Sequence, residues 1–234
     1  MLISGSKIQS MAYFDPAFSS FLRNLKKHNE REWFQNNKAL YEEKVRNPFE
    51  SLVAELIYRV QQVEPGFHCM VKDAVFRINR DIRFSKDKSP YKSYVSAVIA
   101  TGGRKNLSEP GMYIQLEADR LLVFCGIYMP DKIQLQKIRS DILNYGKEVS
   151  RLKSDKKLNT LFGPMKGELS KILPPEFREA ARQEPLLAHK QFYFESEYTG
   201  VQYLQRKDLV AFIMKHYAAA RPWSVFLKNA IHND

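Results

Sequence analysis

Cysteine is scarce in this chain. Its 234 residues hold two, Cys69 and Cys125, far apart and in no paired spacing, which argues against a disulfide framework and fits reduced thiols in a cytoplasm. Long apolar runs are missing as well. The longest, Leu121 to Met129, is too short to span a bilayer, and the opening Met-Leu-Ile-Ser-Gly-Ser-Lys lacks the apolar stretch of a signal peptide. A cytoplasmic protein with no membrane partner is therefore expected. Carboxylates are outnumbered, 26 against 37 Lys and Arg, for a formal charge of +11. That balance favours contact with anions such as phosphates or nucleic acid and says nothing about fold.

Chemical signatures are equally sparse. The histidines at 28, 68, 189, 216 and 232 form no His-x-x-x-His or His-Glu helix pair, and no Cys-x-x-Cys occurs. No metal site and no cofactor is expected from these spacings. Neither a Gly-x-Ser-x-Gly elbow nor a Walker loop is present, and Thr101-Gly-Gly-Arg-Lys105 reads as a flexible hairpin tip that adds positive charge. Lys147 to Lys157 alternates in charge as a solvated helix face does.

What the chain does have is apolar bulk: 44% hydrophobic residues, with fifteen Phe and twelve Tyr, enough for a substantial core. Asp15-Pro16 followed by Phe18, Phe21, Leu22 and Leu25 predicts a capped helix. A second follows around Trp33, Phe34, Leu40, Tyr41 and Val45, and a third runs from Pro48 to the Pro65-Gly66 break. From Val71 the period becomes two. Val75 to Phe84 and Tyr94 to Thr101 are predicted strands joined by the turn Ser85 to Pro90, with Met112 to Glu117 and Leu121 to Tyr128 after them. Asp131 caps a helix carrying Leu135, Ile138, Ile142 and Tyr145, and Lys190 to Glu195 reads as another strand. Helix returns around Leu209, Phe212, Ile213 and Tyr217, and again from Pro222. The expectation is one α+β domain over residues 1–234, an antiparallel meander flanked by N-terminal and C-terminal helices, with the first ~12 residues disordered.

Charge is densest in the segment from Arg77 to Lys92, where six cations and two carboxylates are interleaved. As a strand it would place Phe76, Ile78, Arg80, Ile82 and Phe84 on a packed face and Arg77, Asn79, Asp81 and Arg83 on an open one. Three readings stay open. Arginines at this spacing offer fork-shaped donors to phosphate or carboxylate oxygens. Arg80 and Asp87 can instead belong to a structural ion network, with Arg80 reaching a helix carboxylate such as Glu32. Asp81, alone or with Glu32, can also serve as an acid or base beside the arginines.

The pattern Arg77-x-x-Arg80-Asp81-x-Arg83-Phe84-x-x-Asp87-Lys88-x-x-Tyr91, with Glu32-Trp33-Phe34 and Lys38 upstream, resembles that of the bacterial domain of unknown function 2461. The resemblance spans nearly the whole chain, from the Phe21-Leu22 helix to Phe226-Leu227. It implies a single domain and brings no activity, substrate or cofactor. The residues themselves favour a compact anionic, phosphate-bearing ligand on a basic β-hairpin. In that expectation Arg77, Asn79 and Arg83 contact the anion, Lys88, Tyr91 and Lys92 close one end, and nucleic acid binds only weakly and without sequence preference. The alternatives are an enzyme centred on Asp81 and an interaction module meeting nucleic acid or an acidic protein.

Overall fold

The computed structural model describes residues 12–83 and 86–233, so the expected disorder of the first residues lies outside it. The chain opens with α1 (Pro16–Lys27), whose N-cap Asp15 accepts a hydrogen bond from the Ala17 amide. Proline at the first turn costs nothing there, because that amide has no partner within the helix. Phe18, Phe21, Leu22 and Leu25 face inward, as their three-to-four spacing requires. Short helices α2 (Arg31–Asn36) and α3 (Lys38–Tyr41) run through a π turn at Glu42–Arg46 into α4 (Asn47–Val63). One further turn, α5 (Val71–Ala74), precedes the sheet.

Strands β1 (Val95–Ile99), β2 (Gly111–Leu116), β3 (Arg120–Ile127) and β4 (Phe192–Thr199) pair antiparallel in that order. The α+β meander expected from the period-two pattern is present. Between β3 and β4 the chain makes a long excursion through α6 (Lys132–Asn144), α7 (Gly146–Lys153), α8 (Lys156–Phe162) and α9 (Pro175–Arg178). Asp131 caps α6 in a reciprocal box with Gln134, satisfying amides at both ends of the exchange. After β4 come α10 (Val201–Leu204) and α11 (Leu209–His232).

Alternation decides which side of the sheet is dry. Met112, Ile114 and Leu116 of β2 and Leu121, Val123, Cys125 and Ile127 of β3 are buried, and α11 lies against β3 with Leu209, Ile213, Tyr217, Trp223 and Leu227 facing inward. Each such side chain contributes about 1.5–3 kcal/mol by leaving water. The helix is one rod and not the two segments expected. Pro222 sits inside it, withholding one donor from the ladder without ending the helix, since flanking Ala220, Trp223 and Phe226 are all held in the core.

The predicted strand Val75–Phe84 is a correction. Val75 forms a single bridge to Ala97 and Asn79 another to Tyr91, with no ladder between them. The two arms still run side by side: the amides of Phe76, Arg80 and Lys92 donate to Ser96, Pro90 and Ile78. Pro90 has no amide to give back, which removes a rung from the return arm. The β-hairpin is thus a loosely paired loop along the free edge of β1. The expected parity of exposure persists without the ladder, for Ile78 is buried and Arg80 partly so, while Arg77, Asn79, Asp81 and Arg83 are exposed. Phe84 and Ser85 lie outside the described residues.

Candidate functional site

The loop divides its charges into two groups. Beyond residue 79 they are largely spent on one another. Arg83 grips Asp81 with two side-chain hydrogen bonds, Nε at 3.0 Å and Nη2 at 2.7 Å, and adds its own amide. Those bonds hold the Asp81 carboxyl well below the usual carboxylate range, and an acid so readily ionised is a weak proton acceptor. Arg80 Nη1 lies 2.8 Å from Asp87, whose carboxylate also takes the Ser89 amide and hydroxyl. Hydrogen bonds from Ser89 first, and the charge of Arg80 after them, lower the Asp87 carboxyl. Lys88 donates to the Ile82 carbonyl at 2.8 Å. Glu32 is exposed on α2, and among the described residues no ion pair joins it to Arg80 and no hydrogen bond joins it to Asp81.

Tyr91 is not a surface group. Its ring is 4% exposed and stacks on Phe34 with centroids 4.1 Å apart, while Asn29 clamps its backbone in both directions at 3.0 Å. That clamp fixes where the return arm of the loop meets the helices. Lys92 reaches back to the Arg77 carbonyl and lies over the Phe76 ring at 5.2 Å. Burial chiefly, then the charges of Arg77 and Arg80, push its ammonium below the ordinary lysine value.

Arg77 and Asn79 belong to the second group. They line a groove of about 660 Å³ between α2–α4 on one side and the residues 71–79 on the other, within the size range of small-molecule sites. Phe34, Tyr41, Val71, Ile78 and the wall of Tyr91 supply its apolar floor. Five cations line it, Lys38, Arg46, Lys72, Arg77 and Arg104, against two carboxylates, Glu42 and Glu50. Both carboxylates are committed to Arg46, at 3.2 and 2.8 Å. Among the described residues, Lys38, Lys72, Arg77 and Arg104 form no ion pair. Five cations against two carboxylates leave the hollow with three positive charges in excess.

Local structure explains how they meet. Lys72 lies on α5, and the loop carrying Arg104 closes against that turn: Arg104 donates to the Lys72 carbonyl. Gly103 allows the approach, with φ of +60° and a position where a Cβ would stand 2.4 Å from the Asp73 carbonyl oxygen. Lys38 comes from the first turn of α3. In the sequence, Lys38 stands out only within the family pattern, Arg104 reads as part of a hairpin tip, and Lys72 carries no signal. No local spacing connects residues 38, 72, 77 and 104, so no local signal could have found them. Of the expected ligand residues, the structure brings Arg77, Asn79 and Tyr91 to the groove and leaves Arg83 and Lys88 in the exposed loop.

Among the described residues no cluster of three or more His, Cys, Asp or Glu is arranged to hold a metal, and no helix is long and apolar enough to cross a membrane. Cys125 is buried and Cys69 half-buried, both as free thiols. A family model described as a conserved hypothetical protein, DUF2461, matches residues 17–226. No curated protein matches the chain.

Proposed function

The chain belongs to the DUF2461 family, whose description assigns no chemistry, and from the groove itself we propose that the protein binds a compact anionic, phosphate-bearing ligand between α3, α5 and the loop at residues 75–79. The observation that carries this reading is the excess of positive charge around one cavity, where Lys38, Lys72, Arg77 and Arg104 form no ion pair among the described residues. Other cations are matched: Arg46 in the groove itself, and Arg59, Arg80, Arg83 and Arg120 outside it, each hold a carboxylate. Like charges gathered without counterions repel, and a bound anion removes that repulsion. Arg77 and Arg104 would fork onto oxygens, the lysines would add point charge, and the Asn79 amide would donate to a remaining oxygen.

Inorganic pyrophosphate tests the reading directly. Titration calorimetry at low salt should show saturable one-to-one binding that weakens as ionic strength rises, and the double variant Lys38→Ala, Lys72→Ala should weaken it further. Both lysines are exposed, so the variant is expected to fold. Wild-type protein that takes up no pyrophosphate, phosphate or sulfate would refute the assignment.

A further inference from the structure

The face of the sheet turned away from α11 carries a second hollow, of about 390 Å³, on the other side of Phe76. A row of rings crosses the sheet there. Phe76 meets Tyr113 edge-on at 6.3 Å, Tyr113 meets Phe124 at 5.5 Å, and Phe124 meets Tyr193 at 5.8 Å. These residues stand side by side because Tyr113 is the register partner of Phe124 on β3 and all share the parity of the open face. Beside the row lies the rung of Gly111 and Gly126, partners in the same pair of strands. Gly126 has φ of +138°, and a Cβ on it would stand 2.1 Å from the Phe192 carbonyl oxygen. That stretch of floor is bare backbone, and the rings beside it become walls.

We propose that this cleft takes the flat ring of a nucleobase. A backbone floor between aromatic walls accepts a thin planar group and gives it ring faces to stack on. The polar end of the cleft suits the edge of such a ring. Gln115 Oε1 accepts from the Tyr113 hydroxyl at 2.6 Å and its Nε2 donates to Glu117 at 2.8 Å, which leaves one amide N–H and one oxygen lone pair on the same side chain. A donor and an acceptor together match a base edge, whereas a hydrocarbon would leave both unmet. The carboxylate that lines the cleft, Glu109, meets His232 Nε2 at 3.1 Å.

The charge around Phe76 extends the inference. Phe76 lines both this cleft and the basic groove, and the Lys92 ammonium stands over its ring. A base in the cleft would direct its phosphate toward Lys92, Arg77 and the groove, so the ligand would be a nucleotide, free or at the end of a single strand. This extension rests on the anion-binding reading of the groove; the nucleobase cleft does not.

The experiment separates the two. Adenosine and uridine, which carry no phosphate, are titrated against wild type, Phe124→Ala and Gln115→Ala, with pyrophosphate run in parallel and thermal unfolding used to verify that each variant is folded. At least one nucleoside should bind, and Phe124→Ala should weaken it by about fivefold to 150-fold while leaving pyrophosphate binding within about twofold. Gln115→Ala should change the preference between the two bases. No binding of either nucleoside, or binding that both variants leave intact, overturns the cleft even if pyrophosphate binds. Nucleoside binding without pyrophosphate binding keeps the cleft and refutes the groove. Adenosine monophosphate tighter than a short single-stranded DNA identifies the free nucleotide as the source, and the reverse order identifies a strand end.

Discussion

Arg77→Ala and Arg83→Ala should part company, although the two arginines lie six residues apart on the same exposed side of one loop. Arg77 forms no ion pair among the described residues, the Asp81 carboxylate feeling its charge only at longer range, and it lines the groove. Arg83 already spends two guanidinium nitrogens on Asp81. A charge-assisted hydrogen bond to an ionised partner is worth about 1.5–3 kcal/mol, so losing Arg77 should weaken pyrophosphate about 10-fold to 150-fold. An anion arriving at Arg83 would have to displace Asp81, and the exchange returns little. Loss of Arg83 should therefore alter affinity by less than about twofold. Calorimetric titration of wild type and both variants in one low-salt buffer supplies the numbers, with thermal unfolding to verify the fold. Replacing Arg77 should also flatten the dependence of log affinity on log salt, because one fewer cation meets the anion. The reasoning fails if Arg83→Ala costs as much as Arg77→Ala, for then the Asp81 pair is not a standing arrangement and the exposed loop is the binding element.

Arg80→Met should leave the unfolding free energy within about 1 kcal/mol of wild type in urea denaturation, since Asp87 is 54% exposed and can rehydrate, and since methionine removes a buried Nε that has no hydrogen-bond partner among the described residues; a loss above about 3 kcal/mol would mean that Asp87 is stranded. Asn29→Ala removes both hydrogen bonds to the Tyr91 backbone and should destabilise by about 1–3 kcal/mol, with faster hydrogen exchange confined to residues 78–92, and uniform exchange would show that the clamp does not anchor the loop. His216 is fully buried between the Phe212 carbonyl at 2.8 Å and the Tyr198 hydroxyl at 2.5 Å, and burial lowers its folded pKa. Its unfolded form protonates near 6.5, so above that pH both states are neutral and the contribution is constant. As pH falls from there toward the folded value the unfolded state binds the extra proton, and stability should drop by up to about 1.4 kcal/mol per pH unit. His216→Gln should remove that slope from denaturation curves measured between pH 7 and 5, and an unchanged slope would assign it to another group.

The sequence by itself determined the helices and the meander, because both are written in spacing. Phe18, Phe21, Leu22 and Leu25 can share a face only on a helix, and Met112, Ile114 and Leu116 share one on a strand. It also determined which residues of the 76–83 segment would meet water. That parity follows from alternation along an extended chain and needs no partner strand, which is why it survived when the predicted strand Val75–Phe84 did not. Pairing depends on what the neighbouring arm can offer, and Pro90 together with the Asn29 clamp on Tyr91 draws that arm away from a ladder. Charge was legible as composition and as the dense run from Arg77 to Lys92, not as pairing. Which cations are neutralised is a matter of distance across the fold: Arg83 meets Asp81 two residues away, whereas Lys38, Lys72, Arg77 and Arg104 converge because α3, α5, the loop at residues 75–79 and the Gly103 turn line the same groove. The pair Gly111 and Gly126 likewise reads as two ordinary turn or strand glycines until β2 and β3 align them. Local sequence carries period and propensity, and tertiary packing alone decides which distant side chains share a cavity and which charges remain unmatched within it.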